Sequence, residues 1–141
     1  MSTTPLADQQ YAGQRLGLPE AGPGSVSSWR RRVLALVIDW FASWAVAAFV
    51  VSTWGLGDAW GDWLPLLVFW LESSLGVALA AGSFGQLAVR IAVRRADGRP
   101  LDPAGAFLRQ LLICLVVPAV IYNRDNRCLH DLAVRSVVVR R

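Results

Sequence analysis

Two carboxylates sit where carboxylates are expensive. Asp39 lies inside an apolar run, residues 32–54 (RVLALVIDWFASWAVAAFVVSTW), that is long enough to cross a bilayer. About 20 mostly apolar residues cross the ~30 Å hydrocarbon core. Glu72 lies near the middle of a second apolar run, residues 63–82. An acidic side chain at the centre of a membrane helix costs roughly 2.5–3.5 kcal/mol on insertion scales, so its presence calls for a partner or a task. At 1.5 Å per residue, Asp39 is ~9–10 Å from the start of its helix and Glu72 ~15 Å from the end of its own. In an antiparallel pair the two differ by about one turn in depth, close enough to share a proton, a cation or a water. Asp39 and Glu72 are therefore the candidate transport site. The competing assignment is structural: hydrogen bonds to Ser43, Ser73, Ser74 or Arg109 that fix helix packing, worth about 0.6 kcal/mol each on average.

Other reactive residues offer less. His130 stands beside Asp131, but chain neighbours do not readily adopt the geometry of a base and its orienting acid, and no nucleophile is marked. The single His and the two cysteines, Cys114 and Cys128, have no metal-ligand or CxxC spacing. Residues 82–85 lack the glycine spacing and the Lys of a phosphate loop. The expectation is a protein that is not an enzyme, with no metal and no cofactor.

The elements that position these residues follow from composition. The chain has 141 residues, 55% of them hydrophobic, and a net charge of +4 carried by Arg alone. Apolar content in long runs marks an integral membrane protein. The Arg residues fall in loops, which points to topology and lipid headgroups rather than nucleic acid. Residues 1–28 are rich in Gly, Pro, Ser and Gln and read as a disordered tail with no cleavable signal, ahead of a membrane domain at 29–141. In the first helix Ala35, Asp39, Ser43 and Ala47 form an i, i+4 row of small residues around the carboxylate, a face suited to close helix packing, with Trp40, Phe41 and Trp44 off it. In the second, Glu72, Gly76 and Ala80 form one such row and Ser74, Ala78 and Gly82 another. The loop at 55–62 has no Arg and carries Asp58, Trp60 and Asp62, so it faces outward. A third apolar segment, 104–122, is interrupted by Arg109 and weakened by Pro118. If it crossed, five tail arginines (Arg124, Arg127, Arg135, Arg140, Arg141) would lie outside. Asp97-Gly98 marks a turn, Asp102-Pro103 a helix start, and residues 91–95 and 136–139 pair as strands.

The resulting expectation is an all-α integral membrane protein: a two-span helical hairpin plus a third short membrane-embedded or re-entrant helix, with a small cytoplasmic strand pair. It lies in the bacterial inner membrane with both termini cytoplasmic. Asp131 is expected to dock the tail by accepting hydrogen bonds from Arg32 or Arg109.

Several of these residues together resemble the RDD family of bacterial membrane proteins. That family is named for one arginine and two aspartates, which map to Arg32, Asp39 and Asp131. Gly82-Ser83-Phe84-Gly85-Gln86 resembles the family's stretch of Gly, Thr and Lys after helix two. Asp97-Gly98, Arg109 and the polar residues 125–127 before Leu129-His130-Asp131 fall in the family's order, and the resemblance covers about 29–140. Gln86 stands where the family usually has Lys, and Ser136 where it often has Thr. The resemblance implies structural or motif roles for Arg32, Asp131, Arg109, Ser83 and Gly85. It also implies ligand transport, with cation/proton exchange in some members. Two helices enclose no pathway, so a transporter of this size works as a homo-oligomer or as a subunit. The alternative is a non-catalytic scaffold within a larger membrane complex. Membrane lipids are partners in both.

Overall fold

An apolar sequence with one charge after its first turn makes the longest helix, α1 (Trp29–Trp54). The computed structural model describes residues 9–56, 63–115 and 129–141, the last stretch with side chains from 131 onward. Among these, α1 is the one helix long and apolar enough to cross a membrane; its 26 residues span ~39 Å. It stops at Gly55, whose left-handed φ of 61° lets its N–H close on Val51 O. Its buried residues are Ala35, Asp39, Ser43 and Ala47, the row read from the sequence. On the other side Phe41 is 70% exposed and Phe49 69%, a surface of the kind that lipid or another helix covers.

Helix α2 (Leu64–Ala80) is apolar but has only 17 residues, ~25 Å. Its buried face is Pro65, Phe69, Ser73, Ser74 and Val77. Of the two rows expected from small residues, Ser74 and Gly82 are buried and Ala78 packs on the core; the other row is corrected, with Glu72 and Gly76 half-buried and Ala80 exposed. The reason is that α2 packs on two neighbours. Phe69 meets Trp40 of α1 edge-on, with ring centroids 6.0 Å apart. Trp70 stacks edge-on against Phe107 at 5.3 Å and donates its indole N–H to Phe107 O at 3.2 Å. Phe107 belongs to α4 (Pro103–Cys114), a 12-residue helix of ~18 Å. Its start is built as Asp102-Pro103 predicts: the Asp102 carboxylate accepts from Gly105 N, and Pro103 takes the first turn.

Between α2 and α4 come a short helix, α3 (Phe84–Ala88), and strand β1 (Ile91–Arg95). After α4 come α5 (Leu129–Ala133) and β2 (Ser136–Arg140). The strands pair antiparallel, Ile91 opposite Arg140 and Val93 opposite Val138. Side chains alternate across the ribbon. Ile91, Val93 and Val138 pack on Ala35, Val77 and Ala106 of the helices and on Leu101 just before α4. Ala92, Val137 and Val139 face the other way, onto Leu16, Leu18 and Val26. At the loop after β1, Gly98 takes a φ of 85°, and the Arg99 N–H donates to Asp97, holding that carboxyl below its ordinary range.

That second face corrects the disordered tail for residues 9–28. Gly24 N donates to Arg140 O, Arg140 N to Ser25 O, and Ser27 N to Val138 O, each at 2.8 Å. Ser25 and Ser27 are buried. A two-stranded ribbon leaves both edges open; the N-terminal segment covers the edge of β2 while Leu16 and Leu18 cover its outer face. Residues 1–8 lie outside the described residues. So do Asp58, Trp60 and Asp62 of the expected outer loop, Pro118 and the rest of the third apolar segment beyond 115, the polar turn at 125–127, Cys128 and the His130 side chain.

Candidate functional site

The start of any helix exposes N–H groups that need acceptors. Helix α3 meets this need from within and from outside. Ser83 accepts on Oγ from Gln86 N at 3.4 Å, and Gln86 Oε1 accepts from Ser83 N at 3.0 Å, a reciprocal capping box. The carboxylates of α1 and α2 then join it. Asp39 Oδ1 accepts from Gly85 N and Oδ2 from Ser83 Oγ, both at 2.5 Å. Glu72 Oε1 accepts from Phe84 N at 2.7 Å, and Oε2 from Ser73 Oγ at 3.1 Å. Carboxylates from α1 and α2 thus grip consecutive backbone amides of one turn. Charge-assisted bonds of this kind are about twice as strong as neutral ones.

Gly85 is required by contact. A Cβ built on it would lie 2.1 Å from Ala35 O and 3.0 Å from Asp39 Cγ. Gly76 is similar: a Cβ there would lie 2.8 Å from Gly82 O. The chain leaving α2 therefore folds back against both long helices at close range. The carboxylates meet at residues 83–85, and their bonds go to this turn and to Ser73. Of the other expected partners, Ser43 and Ser74 have no hydrogen bond on Oγ among the described residues, and Arg109 donates to Asp131 instead.

The second cluster joins α1, α4, α5 and β2. Asp131 is fully buried; its Oδ2 accepts from Arg32 Nη1 at 3.1 Å and its Oδ1 from Arg109 Nε at 2.9 Å. Ser136 Oγ adds a bond to Oδ1 at 3.2 Å. Arg109 is 2% exposed and Arg32 12%. Both candidate arginines therefore converge on the one aspartate. Arg32 ties it to the first turn of α1, Arg109 to the middle of α4, and Ser136 to the first residue of β2.

Between the two clusters lies a cavity of about 510 Å³, bordered by Arg32, Asp39, Ser83, Gln86, Arg109 and Gln110 among others. Gln86 and Gln110 were not read as site residues from the sequence. Gln86 carried a usable signal, since Ser83-x-x-Gln86 is a capping-box spacing. Gln110 carried none beyond being a second polar residue in an apolar helix.

The RDD family model matches residues 26–135. No curated protein and no solved structure matches the chain.

Proposed function

The chain belongs to the RDD family, a membrane-associated family, and on that premise we propose that it is a non-catalytic assembly subunit of the bacterial inner membrane, with both termini in the cytoplasm. One observation carries this reading. Each oxygen of Asp39 and of Glu72 accepts a hydrogen bond from the chain itself, most of them from residues 83–85. The carboxylates hold α3 against α1 and α2, a task that accounts for their place in apolar helices without a transported ion. The exposed side of α1, with Phe41, Trp44 and Phe49, is the surface offered to a further copy or a partner helix. Cysteine cross-linking in native membranes tests this, with Phe49→Cys in a background lacking Cys114 and Cys128. Adducts above the monomer mass are expected. A chain that stays at monomer mass with cysteines placed at Phe41, Trp44 and Phe49 in turn ends this reading.

Transport is the second reading, favoured by the position of Asp39 and Ser83 on the cavity wall. A cation or proton entering there would reach the carboxylate. Flux into proteoliposomes that disappears in Asp39→Asn supports it; flux equal to that of empty vesicles removes it.

A further inference from the structure

Three arginines from distant parts of the chain meet at the turn between α3 and β1. Arg31, in the first turn of α1, donates Nη1 to Val89 O at 3.0 Å. Arg141, just past β2, donates its backbone N–H to Arg90 O at 2.9 Å and its Nη2 to Ala80 O at 2.5 Å. Arg90 itself takes a left-handed φ of 57°. Arg90 and Arg141 are exposed and Arg31 is half-buried. Among the described residues, no carboxylate side chain pairs with any of the three. The bonds of Arg31 and Arg141 go to neutral carbonyls, which hold the two guanidinium groups in place and leave their charge uncompensated. Arg30, exposed beside Arg31, and Arg140, opposite Ile91, add two more charges, more than the terminal carboxylate of Arg141 offsets. Gathered like charges repel, and a counter-charge from outside relieves the repulsion. Neither the carboxylate clamp nor the Asp131 cluster uses these groups.

The neighbouring surface says what the counter-charge is attached to. Leu79, next to the carbonyl that anchors Arg141, is 85% exposed, and Phe84 at the start of α3 is 59% exposed. Exposed apolar groups directly beside exposed arginines match an amphiphile: acyl chains against Leu79 and Phe84, an anionic headgroup at the guanidinium groups. An arginine at the surface of an anionic bilayer contributes about 1 kcal/mol to attraction. A free inorganic anion would use the arginines and leave the apolar wall bare.

We propose that Arg31, Arg90 and Arg141 form a headgroup site for an anionic glycerophospholipid at the end of α1 and α2, with its upper acyl chains on Leu79 and Phe84. The site is separate from the Phe41, Trp44 and Phe49 surface and from Asp39. It rests on the proposed function only for the placement of this end at the cytoplasmic surface of the membrane.

The test is native mass spectrometry of the full chain, purified in detergent, stripped of lipid and titrated with phosphatidylglycerol or with phosphatidylcholine, which has the same phosphate and no net charge. Phosphatidylglycerol is expected to bind at least about 10-fold more tightly, a difference of ~1.4 kcal/mol. Excess inorganic phosphate is expected not to displace it. Arg31 and Arg141 also hold backbone carbonyls, so the diagnostic variant is Arg90→Gln, whose side chain makes no hydrogen bond among the described residues. It should weaken phosphatidylglycerol about 5-fold and leave phosphatidylcholine binding and the unfolding midpoint unchanged. Arg99→Gln, exposed in the loop at the other end of the strand pair, should leave phosphatidylglycerol binding unchanged. Equal affinity for the two lipids, unchanged binding in Arg90→Gln, or an equal loss in Arg99→Gln each overturns the proposal; the last would mean attraction spread over the whole basic surface. Full displacement by inorganic phosphate overturns it as well and would mean a site for a free anion. Selective binding in a chain whose C-terminus reads external would support the site and remove the cytoplasmic placement.

Discussion

Asp131 accepts from two arginines that come from different helices, and the surroundings set what each bond is worth. With Arg109 at 2% exposure, removing the carboxylate leaves a buried guanidinium without its counter-charge. Breaking one side of a buried pair typically costs about 3–5 kcal/mol. Asp131→Ala is therefore expected to lower the thermal unfolding midpoint sharply in detergent and to reduce the protein level in the membrane. Asp131→Asn keeps an acceptor for Arg109 and is expected to lose clearly less. Wild-type stability in Asp131→Ala would remove the docking role. Gly85 answers to contact, not charge. A methyl group there meets Ala35 O at 2.1 Å, and neither backbone can retreat without breaking the Asp39 bonds. Gly85→Ala is expected to cost about 1–3 kcal/mol, the usual range for overpacking, or more if α3 detaches. An unfolding midpoint matching wild type would mean that α1 and α3 do not approach so closely.

At the scale of elements, the seam between α2 and α4 rests on the Trp70–Phe107 pair. Trp70→Phe keeps an aromatic ring and loses the 3.2 Å bond to Phe107 O. A loss of about 1 kcal/mol in unfolding free energy is expected, the net value of one such bond; no loss would mean that water replaces it without penalty. The N-terminal segment is a second element-scale device. Its bonds to β2 put the amides of Ser27 and Arg140 among protected groups. Hydrogen exchange should be slow at both and fast at the exposed turn around Gly22. Equal, fast exchange at Ser27 and Gly22 would mean that residues 24–27 do not hold the edge of the sheet.

For the whole molecule, pairing constrains topology. Residues 24–27, β1 and β2 form one hydrogen-bonded unit, so the segment before α1 and the C-terminal strand are expected on one side of the membrane. Arg30, Arg31 and Arg32 at the head of α1 favour the cytoplasm for that side. A reporter fused after Arg141 is expected to read cytoplasmic, as is one fused at the N-terminus. Reporters on opposite sides would be incompatible with the sheet and would sink the topology.

Much of this protein was legible in its residues because the membrane makes the code simple. An apolar run must be a helix where water cannot satisfy the backbone, and a lone carboxylate among small residues marks its packing face. Ala35, Asp39, Ser43 and Ala47 were readable for that reason, as were the Asp102-Pro103 start of α4 and the pairing of β1 with the Val-rich β2. Helix α2 was harder, since it is apolar on all sides and has no polar stripe to orient it. Its buried face depends on having α1 and α4 as neighbours at once. The covering of β2 by residues 24–27 was hidden too, because backbone pairing leaves no side-chain signature in a segment of Gly, Ser and Pro. What accepts or donates at Asp39 and Glu72 was likewise decided only by the fold. Small residues at 76 and 85 let the chain turn back between the helices, and the turn brings the amides of Phe84 and Gly85 to both carboxylates. Sequence could place the charges within about one turn of each other in depth; only close backbone approach determined that they hold a turn.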